Sequence, residues 1–131
     1  MSANFSARDM VDTAAGEISR EIFVNDDIYE QEKVRIFSRA WLYVGHESQI
    51  KNRGDYFVSK MGAESVILTR DFAGKIHVFL NSCAHRGMRV CRYDEGNTTA
   101  FRCPYHAWTY KTDGTLVGVQ DYEKAYQPPF D

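Results

Sequence analysis

The chain has 131 residues, 44% of them hydrophobic, with 16 basic and 18 acidic side chains, a net charge of −2 and a pI near 6.1. That length sustains one hydrophobic core, and a balanced, slightly acidic surface lacks the basic footprint of a nucleic-acid or anionic-membrane binder, so neither partner is expected. No stretch approaches the roughly 20 apolar residues of a membrane-spanning helix, the start (Asn4, Ser6, Arg8, Asp9) lacks the apolar centre of a signal peptide, and three cysteines make no paired disulfide framework; together these predict a cytoplasmic protein.

Residues 1–15 are small and polar, and the expectation is an arm that stays loose unless a partner subunit holds it. Glu17 to Val24 reads as extended. Asn25 then offers a cap for a helix beginning at Asp26, with Asp26, Asp27 and Glu30 early and Lys33, Arg35 and Arg39 late, as the helix dipole favours. Ile28, Tyr29, Ile36, Phe37, Ala40 and Trp41 give it one apolar stripe with which to cover a core. Arm and helix (1–40) thus precede a β domain (41–126).

In that domain the expected strands are Trp41–Gly45, Tyr56–Met61, Ser65–Arg70 with its Val66-Ile67-Leu68 run, and Ile76–Leu80 after a turn at Asp71–Gly74. Met88–Arg92 is expected to pair with Thr98–Arg102 across a turn at Asp94–Asn97, and Ala107–Lys111 with Thr115–Val119 through Asp113-Gly114. Gln127–Asp131, with Pro128-Pro129, reads as the start of a linker.

Two short clips interrupt this β pattern. One is Cys83-Ala84-His85-Arg86-Gly87, the other Cys103-Pro104-Tyr105-His106-Ala107-Trp108. Each puts a thiol and an imidazole on one loop, and each follows a strand. Zinc accepts two cysteines and two histidines, but its usual spacing groups like with like. A mixed order suits a two-iron cluster in which one iron takes both thiolates and the other both imidazoles. Cluster and zinc both remain open at this level. Cys91 lies outside the clips and reads as a buried small apolar residue, and His46 and His77 as surface or core histidines.

The strings CAHRG and CPYHAW resemble the Rieske [2Fe-2S] domain at the N-terminus of the large (alpha) subunits of aromatic-ring-hydroxylating dioxygenases. The resemblance implies a mainly β, antiparallel domain with two cluster-binding loops, preceded by an N-terminal α-helix. It implies that Cys83 and Cys103 bind one iron of a [2Fe-2S] cluster and His85 and His106 the other. Arg86 would stand beside the cluster or at an interface, Tyr105 and Trp108 would shield it from water, and Tyr110 would bond a cysteine sulfur. Gly87 would let the first loop turn and Pro104 stiffen the second.

The implied function is that of an electron-accepting portion of an oxygenase. Electrons would come from a ferredoxin or reductase and pass to a mononuclear non-haem Fe(II) that dihydroxylates an aromatic ring. The implied partners are the catalytic domain and other oxygenase subunits, with His106 as the histidine that bonds a neighbouring subunit's carboxylate. Such an iron needs two histidines and a carboxylate, and no histidine follows Trp108, so this chain alone is expected to be inactive as a hydroxylase. A free-standing Rieske electron carrier and a zinc-stabilised interaction module are the alternatives. Where high-potential Rieske proteins carry a second pair of cysteines and a serine, this chain has Met88, Tyr105 and Trp108, which implies a low potential.

Overall fold

The structure, a computed structural model, describes residues 6–126; the expected linker and the first five residues of the arm lie outside them. The chain divides into two compact units, Met1–Leu42 and Tyr43–Asp131.

In the first unit a 3₁₀ turn (Ala7–Met10) leads into β1 (Val11–Asp12), which pairs antiparallel with β2 (Glu17–Ile18). Asp12 Oδ1 closes the hairpin by accepting from the Ala14 and Ala15 amides, each at 2.9 Å. The arm is therefore a small hairpin where a loose segment is expected. The extended reading of Glu17–Val24 also fails beyond Ile18: Ser19 Oγ accepts from Glu21 N at 3.3 Å, and Glu21–Val24 (α1) turns as a helix.

Asn25 does cap α2 (Asp26–Glu32), its Oδ1 accepting from Asp27 N and Ile28 N. The helix stops sooner than its apolar stripe predicts. It widens into a π turn over Lys33–Phe37, and Ser38 Oγ donates back to Val34 O at 2.6 Å, a side-chain bond that competes with continuation of the helix. Trp41 is fully exposed, and no strand forms over 41–45.

The second unit contains two antiparallel sheets. Strands β3 (Asp55–Met61), β4 (Glu64–Arg70), β5 (Ile76–Leu80) and β6 (Glu95–Asn97) form one, in the order β5-β4-β3-β6. Strands β7 (Ala100–Arg102), β8 (Thr109–Lys111) and β9 (Leu116–Gly118) form the other in sequence order. β4 is interior to its sheet, and Val66, Ile67, Leu68 and Thr69 are all buried. A continuous apolar run suits a strand covered on both faces, and each such aliphatic residue stabilises the fold by about 1.5–3 kcal/mol. A short helix, α3 (Tyr122–Ala125), follows β9 without a forecast in the sequence.

The pairing around the clips departs from expectation. Met88–Arg92 forms no strand, and Glu95–Asn97, read as the tip of a turn, is the strand β6 along β3. There Gly96 lies opposite Tyr56, and a Cβ at Gly96 would sit 2.8 Å from the tyrosine hydroxyl. β7 pairs instead with β8. The backbone of residues 90 and 91 satisfies its donors on a side chain: Asn81 Oδ1 accepts from Val90 N at 3.1 Å and Cys91 N at 2.8 Å, while Asn81 Nδ2 donates to Cys91 O at 2.8 Å. Val58 N then donates to Asp94 O, which swings the chain onto β3.

The core of this unit has two buried groups. Tyr56, Ile67, Cys91 and Phe101 make one, and Cys83, Cys103 and Trp108 the other; Val90 and Tyr110 pack against both and join them.

Candidate metal centre

The first clip leaves β5 and the second leaves β7, and the two loops have the same backbone hydrogen bonding. In the first, Cys83 N donates to Met88 O and Gly87 N to Cys83 O, both at 2.8 Å. In the second, Cys103 N donates to Trp108 O at 2.8 Å and Ala107 N to Cys103 O at 3.0 Å. The fifth residue of each loop has left-handed backbone, Gly87 at φ +69 and Ala107 at φ 58. The turn is therefore forced by the ring of bonds in both loops, and only in the first does glycine make it easy.

These loops bring the four predicted ligands together. Cys83 and Cys103 are free thiols, each only 3% exposed. The half-buried rings of His85 and His106 lie with centroids 4.7 Å apart. Trp108 is buried and stacks flat on His85, 4.9 Å between centroids at 8°. Tyr105 lies 3.8 Å from the His106 ring but is 55% exposed, so its cover is limited to one side of that imidazole. Arg86 is exposed, and its charge acts on His85. Burial first, then the charges of His106 and Arg86, hold His85 below the usual histidine pKa, which favours the neutral imidazole that a metal requires.

Tyr110 reaches the site from β8. Its hydroxyl oxygen accepts from Ala84 N at 3.1 Å and lies 3.2 Å from Cys83 Sγ. The amide occupies an oxygen lone pair, so the one phenolic proton is left to donate to sulfur. Burial and that bond to Cys83 push the Tyr110 pKa up to about 12. For Cys83 itself, burial raises the thiol pKa, but the Tyr110 hydroxyl, the amides of His85 and Arg86 and the neighbouring Cys103 outweigh it and lower the pKa. The pocket shifts Cys83 towards the thiolate form.

One polar atom among the described residues exposes the design: His106 Nδ1 is buried with no hydrogen-bond partner. A buried, unpaired ring nitrogen costs on the order of 1–3 kcal/mol, and it is relieved if it ligates a metal. Two buried thiols, two adjacent imidazoles and this orphaned nitrogen fit a mixed-ligand two-iron cluster. A mononuclear ion is a poor fit, because no three His, Cys, Asp or Glu among the described residues converge on one point.

The other candidates have structural partners. His46 Nδ1 accepts from Ser48 N at the start of a 3₁₀ turn, and His77 Nε2 donates to Asp71 Oδ2 at 2.7 Å. Cys91 is buried in the core. The residue that the sequence does not single out is Asn81. An asparagine between a strand and a loop reads as ordinary punctuation, and only the fold shows its carboxamide gripping residues ten positions away.

The family model described as the Rieske [2Fe-2S] domain matches residues 40–129. Biphenyl 2,3-dioxygenase subunit alpha of Rhodococcus jostii is 45% identical, over 95% of this chain and 27% of its own length. N,N-dimethyl phenylurea N-demethylase subunit alpha of Sphingobium sp. is 46% identical, over 85% of this chain and 24% of its own. Naphthalene 1,2-dioxygenase from Rhodococcus sp., solved bound to indole, superposes with a TM-score of 0.79 at 44% identity, covering 86% of this chain and 26% of that one. The chain thus spans about a quarter of the length of the relatives it matches. With the fold, the paired loops and a family match over most of its length, the chain belongs to the Rieske [2Fe-2S] domain family.

Proposed function

We propose that this chain is the electron-accepting Rieske portion of a ring-hydroxylating oxygenase alpha subunit, with Cys83 and Cys103 on one iron and His85 and His106 on the other. The observation that carries the reading is the convergence of two loops with one backbone pattern on two buried thiols and two neighbouring imidazoles. When bound, the cluster takes up and releases a single electron.

The chain's own side chains set the conditions for that. Tyr110 donates to the Cys83 sulfur, Trp108 fixes the plane of His85 and keeps water from that face, and His106, held to the cluster by its orphaned Nδ1, would keep its Nε2 for an outside partner. Arg86 adds an exposed positive charge beside His85. The electron would arrive from a ferredoxin or reductase and leave for a mononuclear iron in a further domain, on the way to dihydroxylation of an aromatic ring. Three free cysteines suit a reducing cytoplasm. One relative is a dioxygenase subunit and another a demethylase subunit, so the substrate is set outside these residues.

The test is metal analysis with electron paramagnetic resonance. Two irons and two labile sulfides per chain, with a rhombic signal on reduction, are expected, and Cys103→Ser or His106→Ala should abolish both. Stoichiometric zinc without sulfide would overturn the reading.

A further inference from the structure

We propose that Asn81 is a positioning residue for the cluster, closing the base of the loop that carries Cys83 and His85. The inference rests on the cluster reading above and concerns a residue outside the ligand set.

Asn81 leaves the end of β5 and is 4% exposed. Its amide N donates to Ser65 O at 2.8 Å, which ties it to β4. Its carboxamide then uses its full capacity. Nδ2 donates to Cys91 O at 2.8 Å and Ser65 Oγ at 3.3 Å, and Oδ1 accepts from Val90 N at 3.1 Å and Cys91 N at 2.8 Å. The orientation of the group is fixed chemically, since backbone N–H can only donate and C=O only accept.

Both ends of the 81–91 loop are therefore held by one side chain, where a hairpin would use a ladder. Within the loop the Cys83 to Met88 bond forms the turn itself, and the turn meets the second loop and β8 only through side chains, at the Tyr110 hydroxyl and the Trp108 ring, so its base needs an anchor of its own. Val90 provides it: it packs against the core group of Cys83, Cys103 and Trp108 and against that of Tyr56, Ile67, Cys91 and Phe101. Asn81 holds Val90 by its amide. Loss of the carboxamide leaves the buried Cys91 N–H and the half-buried Val90 N–H unpaired and the Cys91 carbonyl with Arg89 Nε, at 3.1 Å, in place of two donors, and the loop is freed to shift as a body, taking Cys83 away from the Tyr110 hydroxyl and His85 off the Trp108 ring. Groups outside the ligand set that orient ligands in this way tune a metal site without touching it.

The experiment compares the whole chain, with and without cluster, as wild type, Asn81→Ala and Thr69→Val. Thr69→Val removes a buried hydroxyl bond to Asp55 O outside the loop and serves as the control for general destabilisation. In the cluster-free chain, amide exchange at Val90 and Cys91 should quicken roughly tenfold more in Asn81→Ala than exchange at Ile67 and Leu68 on β4. In the loaded chain, iron release to a chelator should be roughly tenfold faster than in wild type, with altered g-values, and Thr69→Val should change neither. If Asn81→Ala does not accumulate, Asn81→Asp keeps both acceptor bonds while losing the donors, and should show the same changes to a smaller degree.

Exchange that quickens uniformly along the chain, or a loosened loop with unchanged g-values and iron release, would overturn the proposal. A wild-type chain that takes up no cluster would instead overturn the cluster reading, and the exchange result would still decide whether the clamp exists.

Discussion

The hydroxyl of Tyr110 has one proton, and the geometry directs it to the Cys83 sulfur because Ala84 N–H already occupies the oxygen. A donor on a cluster ligand stabilises the electron-rich reduced form, so Tyr110→Phe should lower the midpoint potential. Each kcal/mol of difference is worth about 40 mV for one electron, and a bond to a charged acceptor contributes roughly 1.5–3 kcal/mol, only part of which differs between redox states; a drop of roughly 40–80 mV in protein-film voltammetry is expected. An unchanged potential would show that the bond is equally strong in both states. With a pKa of about 12, Tyr110 stays protonated through the mildly alkaline range, so this contribution should not titrate there.

The matched loops supply a second comparison. Gly87 and Ala107 hold equivalent left-handed positions, and the nearest atom to a Cβ at Gly87 is Ser82 Oγ at 3.8 Å. Gly87→Ala should therefore cost only the conformational strain, about 1 kcal/mol, while Ala107→Gly relieves that strain and should be neutral or stabilising by up to about 1 kcal/mol after the added chain entropy. Denaturant titration of both variants measures the pair, and a loss of several kcal/mol in either would point to a contact that the backbone argument omits. The four proposed ligands are legible in the sequence because thiols and imidazoles at clip spacing have few other uses. Asn81 and Val90 are not, because their work depends on partners the fold supplies.

At the level of elements, the sequence marks strands by composition but cannot mark their partners. Glu64–Arg70 and Ile76–Leu80 appear where apolar content and the Asp71–Gly74 turn place them. Met88–Arg92 does not, since Asn81 takes over the bonds a neighbouring strand would have made. The helix after Asn25 begins at its cap, a local signal, and ends at a back-bonding serine that its periodicity hides. Local chemistry is readable, and non-local competition for backbone groups is not.

The β4–β5 turn carries a pH dependence of its own. Asp71 accepts from His77 Nε2 at 2.7 Å and Lys75 N at 2.8 Å. The His77 bond foremost, against the opposing effect of burial and with help from the Lys75 amide, holds its pKa below the ordinary 3.8. A carboxyl group depressed in the folded state binds protons more readily when unfolded, so its stabilisation is complete above pH 3.8 and is lost as pH falls towards the folded value. Asp55, bonded foremost by Asn97, and Asp113, bonded by Thr115, shift in the same direction. Thermal unfolding below about pH 4 should therefore fall off less steeply for Asp71→Asn than for wild type. Equal slopes would remove this turn from the acid response.

For the whole chain, the decisive quantity is how many redox and catalytic sites its residues can build. It has four histidines. Two lie in the paired loops, one caps a 3₁₀ turn and one bonds Asp71, and no group of three possible ligands converges on one point among the described residues. A mononuclear oxygen-activating iron needs two histidines and a carboxylate around open positions, which this set cannot provide. The expected behaviour is uptake of one electron per chain from a reductase, seen as bleaching of the cluster's visible absorbance, with no oxidised product when biphenyl or naphthalene and dioxygen are supplied. The midpoint should lie below about 0 mV, in the lower part of the Rieske range, because Met88, Tyr105 and Trp108 stand where crosslinking cysteines and a serine donor would raise it. A midpoint above roughly +150 mV would mean that the loops supply donors to the cluster beyond Tyr110, and substrate-dependent ring oxidation by the isolated chain would require a second metal site built from residues that serve caps and turns.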